Sequence, residues 1–254
     1  MTTTITATAD PTNSPPRIRL QVTTNLAQVT VTRIASDGST APVRSYDGAP
    51  IATPGGSAVI YDYEAPYGDT LTYGSSDPAT TPSAATTLAI DTVWLIHPGV
   101  PVRSQPIWVS ALTTREHDTN AAVRYPLGRR YPIVATDGQR KAAVYTLTVL
   151  TRTLDDLGRL RELLADLSPL LLNVSVSKGW GQVAEYVQIG KISAGRIVPW
   201  GPHPMREWQL PCTVVGRPAG GTQADITYAY SQARYSTYAA RQAANPTYAA
   251  ALNP

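Results

Sequence analysis

The chain has 254 residues, 43% hydrophobic and 15% charged, with a formal net charge of +3 at pH 7. That is enough chain to bury one large β core or two ordinary ones, and a single cysteine, Cys212, excludes an internal disulfide framework and a multi-cysteine metal site. No run approaches the roughly 18 to 20 apolar residues that span a bilayer, and the opening MTTTITATADPTNSPP has neither the basic nor the apolar region of a secretory signal, so the chain is expected to be made as a soluble cytoplasmic product.

In chain order, residues 1–16 form a Thr/Pro-rich leader, expected to be extended. RIRLQVTT (17–24) alternates Ile18, Leu20 and Val22 with Arg17, Arg19 and Gln21, the period-two pattern of a strand with one buried face. VTVTRIAS (29–36) repeats it less cleanly, and Asp37-Gly38 and Asp47-Gly48 signal hairpin turns. After Gly55-Gly56, SAVIYDYEA sets Val59, Tyr61 and Tyr63 on one side of a strand. Pro66 and Gly68 then separate two Tyr-bearing strands, and TTLAIDTVWLI closes the region. Six or seven short strands in about 80 residues is the density of a β-sandwich, so residues 17–96 are read as an immunoglobulin-like or fibronectin-III-like domain.

Charge changes sign at this point. Residues 1–96 hold four Arg against eight acids, whereas residues 97–217 hold fifteen Lys and Arg against nine acids. His97-Pro98-Gly99 therefore marks a domain boundary. Beyond it, PIWVSALTTREH (106–117) and AVRYPL (122–127) read as strands, and GRRYPIVATDGQRKAAVYTLTVLT (128–151) as a hairpin pair around Asp137-Gly138. A helix follows, because Leu154, Leu157, Leu160, Leu164 and Leu167 recur at spacings of three and four, with Leu163 widening the apolar face. Thr153 is its N-cap, Asp155 and Asp156 occupy the first turn, and Ser168-Pro169 ends it. Strands at PLLLNVSV, EYVQIGKISAGRIV and REWQLPCTVVG complete residues 97–218 as an α+β sheet or split barrel with one helix. The fold class is thus mainly β, with the single helix in the second domain.

Residues that could carry chemistry are sparse. There is no GxSxG, GxxxxGK[ST], GxGxxG or HExxH, and His97, His117 and His203 are far apart. Arg115-Glu116-His117-Asp118 could be a metal or acid/base cluster, but neighbours on a strand point to opposite faces, and a solvated strand end is the preferred reading. Glu64 and Asp69 are read as turn-side acids rather than a glycosidase pair. Arg129 and Arg130, with Arg124, Arg140 and Lys141 nearby, are interleaved with Tyr125 and Tyr131. That pattern suits single-stranded nucleic acid, but the signal is modest, and a surface of salt bridges between subunits or a charged wall facing a channel is the preferred reading. Trp180 and Trp200, beside Gly or Pro, could form a carbohydrate platform, while Trp208 belongs to a core strand. No enzyme and no cofactor are expected.

The C-terminal residues 219–254 repeat Thr-Tyr-Ala at Thr227, Thr237 and Thr247. A ten-residue step leaves successive Tyr about 80° apart on a helix, and Pro246 interrupts any continuous one. Tyr228, Tyr235, Tyr238 and Tyr248, set among Ala and small polar residues, are read as an arm that buries them on a neighbouring subunit. Arg129, Arg130 and, on the helix, Arg159, Arg161 and Glu162 are read as further interface residues.

The runs VIYDYEAPYGDTLTY, VWLIHPGVP, YPLGRRYPIVATDGQRKAAVYTLTVLT and LRELLADLSPLLL, followed by the Tyr-bearing tail, resemble in order and spacing the minor tail proteins of long-tailed phages of actinobacteria. The second half also resembles the tube-like domain of distal tail proteins, although there the ring domain usually comes first. The resemblance implies a structural subunit of the virion tail tip, assembled in the host cytoplasm into a hexameric or trimeric ring. It further implies contacts with the tail tube and with hub or receptor-binding proteins, no membrane, and passage of the genome through the lumen without specific nucleic-acid binding. A carbohydrate-binding module for host surface glycan is the alternative.

Overall fold

A computed structural model describes residues 2–45, 50–53, 56–125, 127, 130–181, 184–197 and 204–220. The protein is mainly β, with one α-helix among the described residues. It folds into two compact units, the first from residues up to Pro106 with Leu171–Ala184 and the segment from Pro218, the second from Ile107–Leu170 and Glu185–Arg217.

In the first unit the Thr-rich start is a strand, β1 (Thr4–Asp10), which pairs antiparallel with β2 (Arg17–Thr23). The short strands β3 (Gln28–Val29) and β6 (Ile51–Ala52) pair with each other. On the other side of β2 lies β7 (Ser57–Asp62). A second sheet runs β5 (Thr40–Pro42), β4 (Val31–Ile34), β8 (Thr70–Ser75), β9 (Thr86–Thr87). The alternation read in β2 is realised, since Ile18, Leu20 and Val22 are fully buried and Arg19 and Gln21 are exposed. Asp37-Gly38 makes the β4–β5 turn, with Gly38 at φ 82°, a conformation that favours glycine. Asp47-Gly48 lies outside the described residues.

The fully apolar β10 (Val93–Ile96) pairs with β15 (Leu170–Asn173), all eight residues being buried. Asn173 fastens this returning segment to the first unit. Its Nδ2 donates to the Ala65 carbonyl at 2.8 Å, and its Oδ1 accepts from the Tyr67 N–H at 3.2 Å.

The sheet of the second unit is antiparallel. β11 (Gln105–Leu112) pairs with β14 (Val144–Thr151), and β14 with β18 (Arg206–Val215). The far edge of β18 takes β16 (Ala184–Ile189) and then β17 (Ser193–Arg196). Helix α1 (Leu154–Ala165) packs on β14 and starts at the expected cap, Thr153, within a capping box: Asp156 N–H donates to Thr153 Oγ1 at 3.0 Å, and Thr153 N–H donates to Asp156 Oδ2 at 3.1 Å. Its buried face is Leu157, Leu160 and Leu163, with Leu164 half-buried. Leu154 and Leu167, assigned to that face by spacing, are exposed because one opens the helix and the other lies beyond its end.

The remaining strands, β12 (Thr119–Arg124) and β13 (Ile133–Arg140), pair only with each other. This corrects the reading of Asp137-Gly138 as a hairpin turn. The dipeptide lies inside β13, and the turn falls between Arg124 and Ile133. Thr119 faces Arg140 and Ala121 faces Thr136, so three residues, 137–139, stand opposite the single residue 120. Gly138, at φ 83°, supplies the left-handed conformation that this bulge uses. No helix among the described residues is long and apolar enough to cross a membrane.

Candidate assembly surface

The β12–β13 hairpin carries the β-branched Val123, Ile133 and Val134, which favour strands, yet among the described residues it pairs with no other strand. Cross-strand partners share a face, so Val123 with Val134 lies on one face, and Ala122 with Ala135 and Arg124 with Ile133 on the other. Large apolar side chains are exposed on both: Val123 is 53% accessible, Val134 57% and Ile133 46%. Toward the turn, Tyr125 and Tyr131 are 78% and 73% accessible and Leu127 is fully so. The root is held by main-chain bonds between Glu116 and Val144 and from Lys141 to Asp118, with a Lys141–Asp118 ion pair at 3.6 Å. A two-stranded ribbon is marginally stable alone in water. Full burial of each such side chain contributes about 1.5 to 3 kcal/mol, so this surface gains by meeting a partner.

Among the residues expected at an interface, Arg130 lies in this hairpin, its guanidinium 5.7 Å from the centre of the Tyr131 ring. Arg159, Arg161 and Glu162 are exposed on α1, where Arg159 pairs with Asp155 at 3.0 Å. Arg129, Tyr228, Tyr235, Tyr238 and Tyr248 lie outside the described residues.

Two buried polar clusters went unread in the sequence. In the first unit, the inward Asp62 of β7 receives Arg33 Nη1 at 3.0 and 2.9 Å on its two oxygens. Tyr73 Oη also donates to it at 3.0 Å, as does the Glu64 N–H at 3.0 Å. Glu64 in turn accepts from Arg44 Nε at 2.9 Å, and Arg44 donates to the carbonyls of Pro218 and Gly220. Asp62 and Glu64 are almost wholly buried. Burial, reinforced by the Asp62 charge, pushes the Tyr73 hydroxyl well above the ordinary tyrosine range. These charges neutralise one another.

In the second unit, Glu185 on β16 accepts from Arg115 at 2.7 Å and from the Tyr145 hydroxyl. Burial, then the bond to Glu185, pushes the Tyr145 hydroxyl upward. Cys212 is fully buried nearby, its thiol pushed up to about 12 by burial and by the Glu185 charge. A reactive cysteine needs the opposite shift, so this thiol is inert packing.

The other candidate chemistry disperses. Arg115 turns to Glu185, Glu116 bridges to Val144 and Asp118 pairs with Lys141, so the Arg-Glu-His-Asp run does not converge. Glu64 is buried against Arg44, whereas Asp69 is exposed and accepts from Ser36 Oγ and the Thr70 N–H. No group of three or more potential metal ligands occurs among the described residues. Trp208 is core, its Nε1 donating to Thr151 Oγ1 at 3.2 Å. Trp180 is half-buried, and Trp200 lies outside the described residues. Trp108, not singled out by sequence, is 53% accessible, but its ring is covered by the Arg152 guanidinium at 3.5 Å. No protein-family model matches this chain, and no curated protein matches it either.

Proposed function

We propose that the protein is a structural subunit of a phage tail tip, a minor tail or distal-tail-like protein. It forms a ring that joins the tail tube to the host-adsorption apparatus. The observation that carries this reading is the β12–β13 hairpin, whose apolar side chains are exposed on both faces among the described residues. The sequence resemblance given above names the assembly, and the hairpin supplies the kind of surface that such an assembly uses. Ring closure requires a heterologous contact, in which one patch meets a different patch on the next copy. A projecting ribbon meets that requirement. The reading assigns the chain no catalytic step and no cofactor, with the genome passing through the ring lumen.

Mass photometry of the purified chain across a concentration series, followed by negative-stain imaging, tests the proposal. A species near six times 27.2 kDa, or three times that mass for a trimer, with ring-shaped images is the expected result. A protein that stays monomeric at every concentration, is not taken up by purified tail tubes and is retained on isolated host cell wall would replace it with the carbohydrate-binding alternative.

A further inference from the structure

The second unit carries two exposed surfaces of opposite character. From Asp118 to Lys141 the sequence has five basic residues and two acidic ones, and the hairpin they span is apolar on both faces. Helix α1 turns Leu157, Leu160 and Leu163 inward. Its exposed residues include Asp155, Asp156, Arg159, Arg161 and Glu162, with half-buried Asp166 just past its end, four acids against two bases, Asp155 and Arg159 being paired with each other. Exposed leucines flank that net-acidic stretch, Leu154 at the start and Leu167 past the end.

We infer that the hairpin of one copy docks along the outward face of α1 of a second copy. The inference deepens the ring reading, on which it rests for its partner being another copy of this chain. Lengths match: an eight-residue strand spans about 26 Å, and the stretch from Leu154 to Leu167 about 20 Å, so one hairpin covers both leucines and the acids between them. Both surfaces are exposed among the described residues of one copy, and the proposed contact joins two copies. It joins unlike patches, the head-to-tail arrangement that closes rings. An anionic membrane or a single-stranded nucleic acid would also attract a basic, aromatic ribbon. Neither accounts for leucines exposed beside acids on the helix.

The single cysteine of the chain is sealed in the core, so introduced cysteines are the only accessible thiols. Full-length Val134→Cys and full-length Ala165→Cys, carrying different tags, are mixed at high concentration and treated with a short bismaleimide. The expected product is a covalent pair containing one chain of each kind, in excess over either like pair. Arg124→Glu with Arg130→Glu in the Val134→Cys chain lowers that yield roughly tenfold or more, since like charges now face each other. Asp155→Lys with Glu162→Lys in the Ala165→Cys chain restores it, while the thermal transition of every variant stays in place.

Absence of the mixed product while rings persist in negative stain overturns the docking and leaves the ring reading standing; absence of both counts against both. A product joining only Val134→Cys chains would put hairpin against hairpin and also overturn the docking. If no mixed product forms and Arg124→Glu with Arg130→Glu abolishes retention on phosphatidylserine vesicles or on a single-stranded oligonucleotide, the hairpin belongs to that ligand instead.

Discussion

The two units treat polar and apolar groups in opposite ways. The first takes four charged side chains inside, Arg33, Asp62, Arg44 and Glu64, and pairs each one. The second leaves six large apolar side chains exposed on a ribbon whose strands, among the described residues, pair only with each other. Buried charge looks like chemistry and exposed hydrophobicity like a defect, but the physics assigns them the other way. An ion network whose buried charges are paired rigidifies the fold around it. An uncovered apolar ribbon is incomplete until something meets it.

The strongest challenge to that contrast is Asp62→Ala. It leaves the Arg33 guanidinium and the Tyr73 hydroxyl buried without their acceptor, and should cost about 3 to 5 kcal/mol in urea unfolding. A loss below about 1 kcal/mol would mean that the cluster is solvated and open, and the first unit would regain a candidate site.

Alkaline titration comes next. Burial raises the hydroxyls of Tyr67, Tyr73 and Tyr145 above their unfolded value. Groups raised in this way stabilise the fold fully below the unfolded pKa, near 10. That contribution falls as pH climbs above 10, because only the unfolded chain releases those protons. The melting temperature should therefore drop steeply above about pH 10, with part of the phenolate absorbance appearing only on unfolding. Complete ionisation of every tyrosine near pH 10 in the folded protein would contradict the sealed interior.

Tyr67→Phe is a smaller change of unusual sign. Tyr67 is fully buried and its hydroxyl has no partner among the described residues, so the substitution should leave stability unchanged or raise it by up to about 1 kcal/mol. Destabilisation beyond that range would reveal a hydrogen bond.

The smallest stability effect belongs to the hairpin. Val123→Thr with Val134→Thr should shift unfolding by under about 0.5 kcal/mol, as for other surface changes, while lowering the oligomer fraction in mass photometry. A large loss of stability instead would place these valines in a core and erase the comparison.

Much of the fold was legible because its signals are local. β2 is written in strict alternation, and α1 in its leucine spacing and in Thr153 with Asp156 at the cap. What was illegible is non-local. Glu64 read as a turn-side acid and Asp62 drew no reading, because their partners, Arg44 and Arg33, lie 20 and 29 residues away. Nothing in PLLLNVSV announces that Asn173 will fasten to Ala65, 108 residues earlier. The hairpin gave a partial signal. Ala121-Ala122-Val123 and Ile133-Val134-Ala135 lack the polar alternation of a half-buried strand, and such runs read equally as core. Asp137-Gly138 was misread because the positive φ that suits a turn also suits a bulge. The interface expected at Tyr228, Tyr235, Tyr238 and Tyr248 falls beyond the described residues.

That bulge constrains how the hairpin can vary. Three residues opposite one is an excess of two on β13, and two is the period of side-chain alternation along a strand. Inward and outward positions therefore stay in phase from the root, past the kink, to the turn. Removing two residues there would straighten the ribbon and preserve which side chains share a face. Removing one would exchange the faces of every residue on one side of the cut. The length of this projection is thus counted in pairs: insertions and deletions of even size keep its two surfaces intact, and odd ones scramble them.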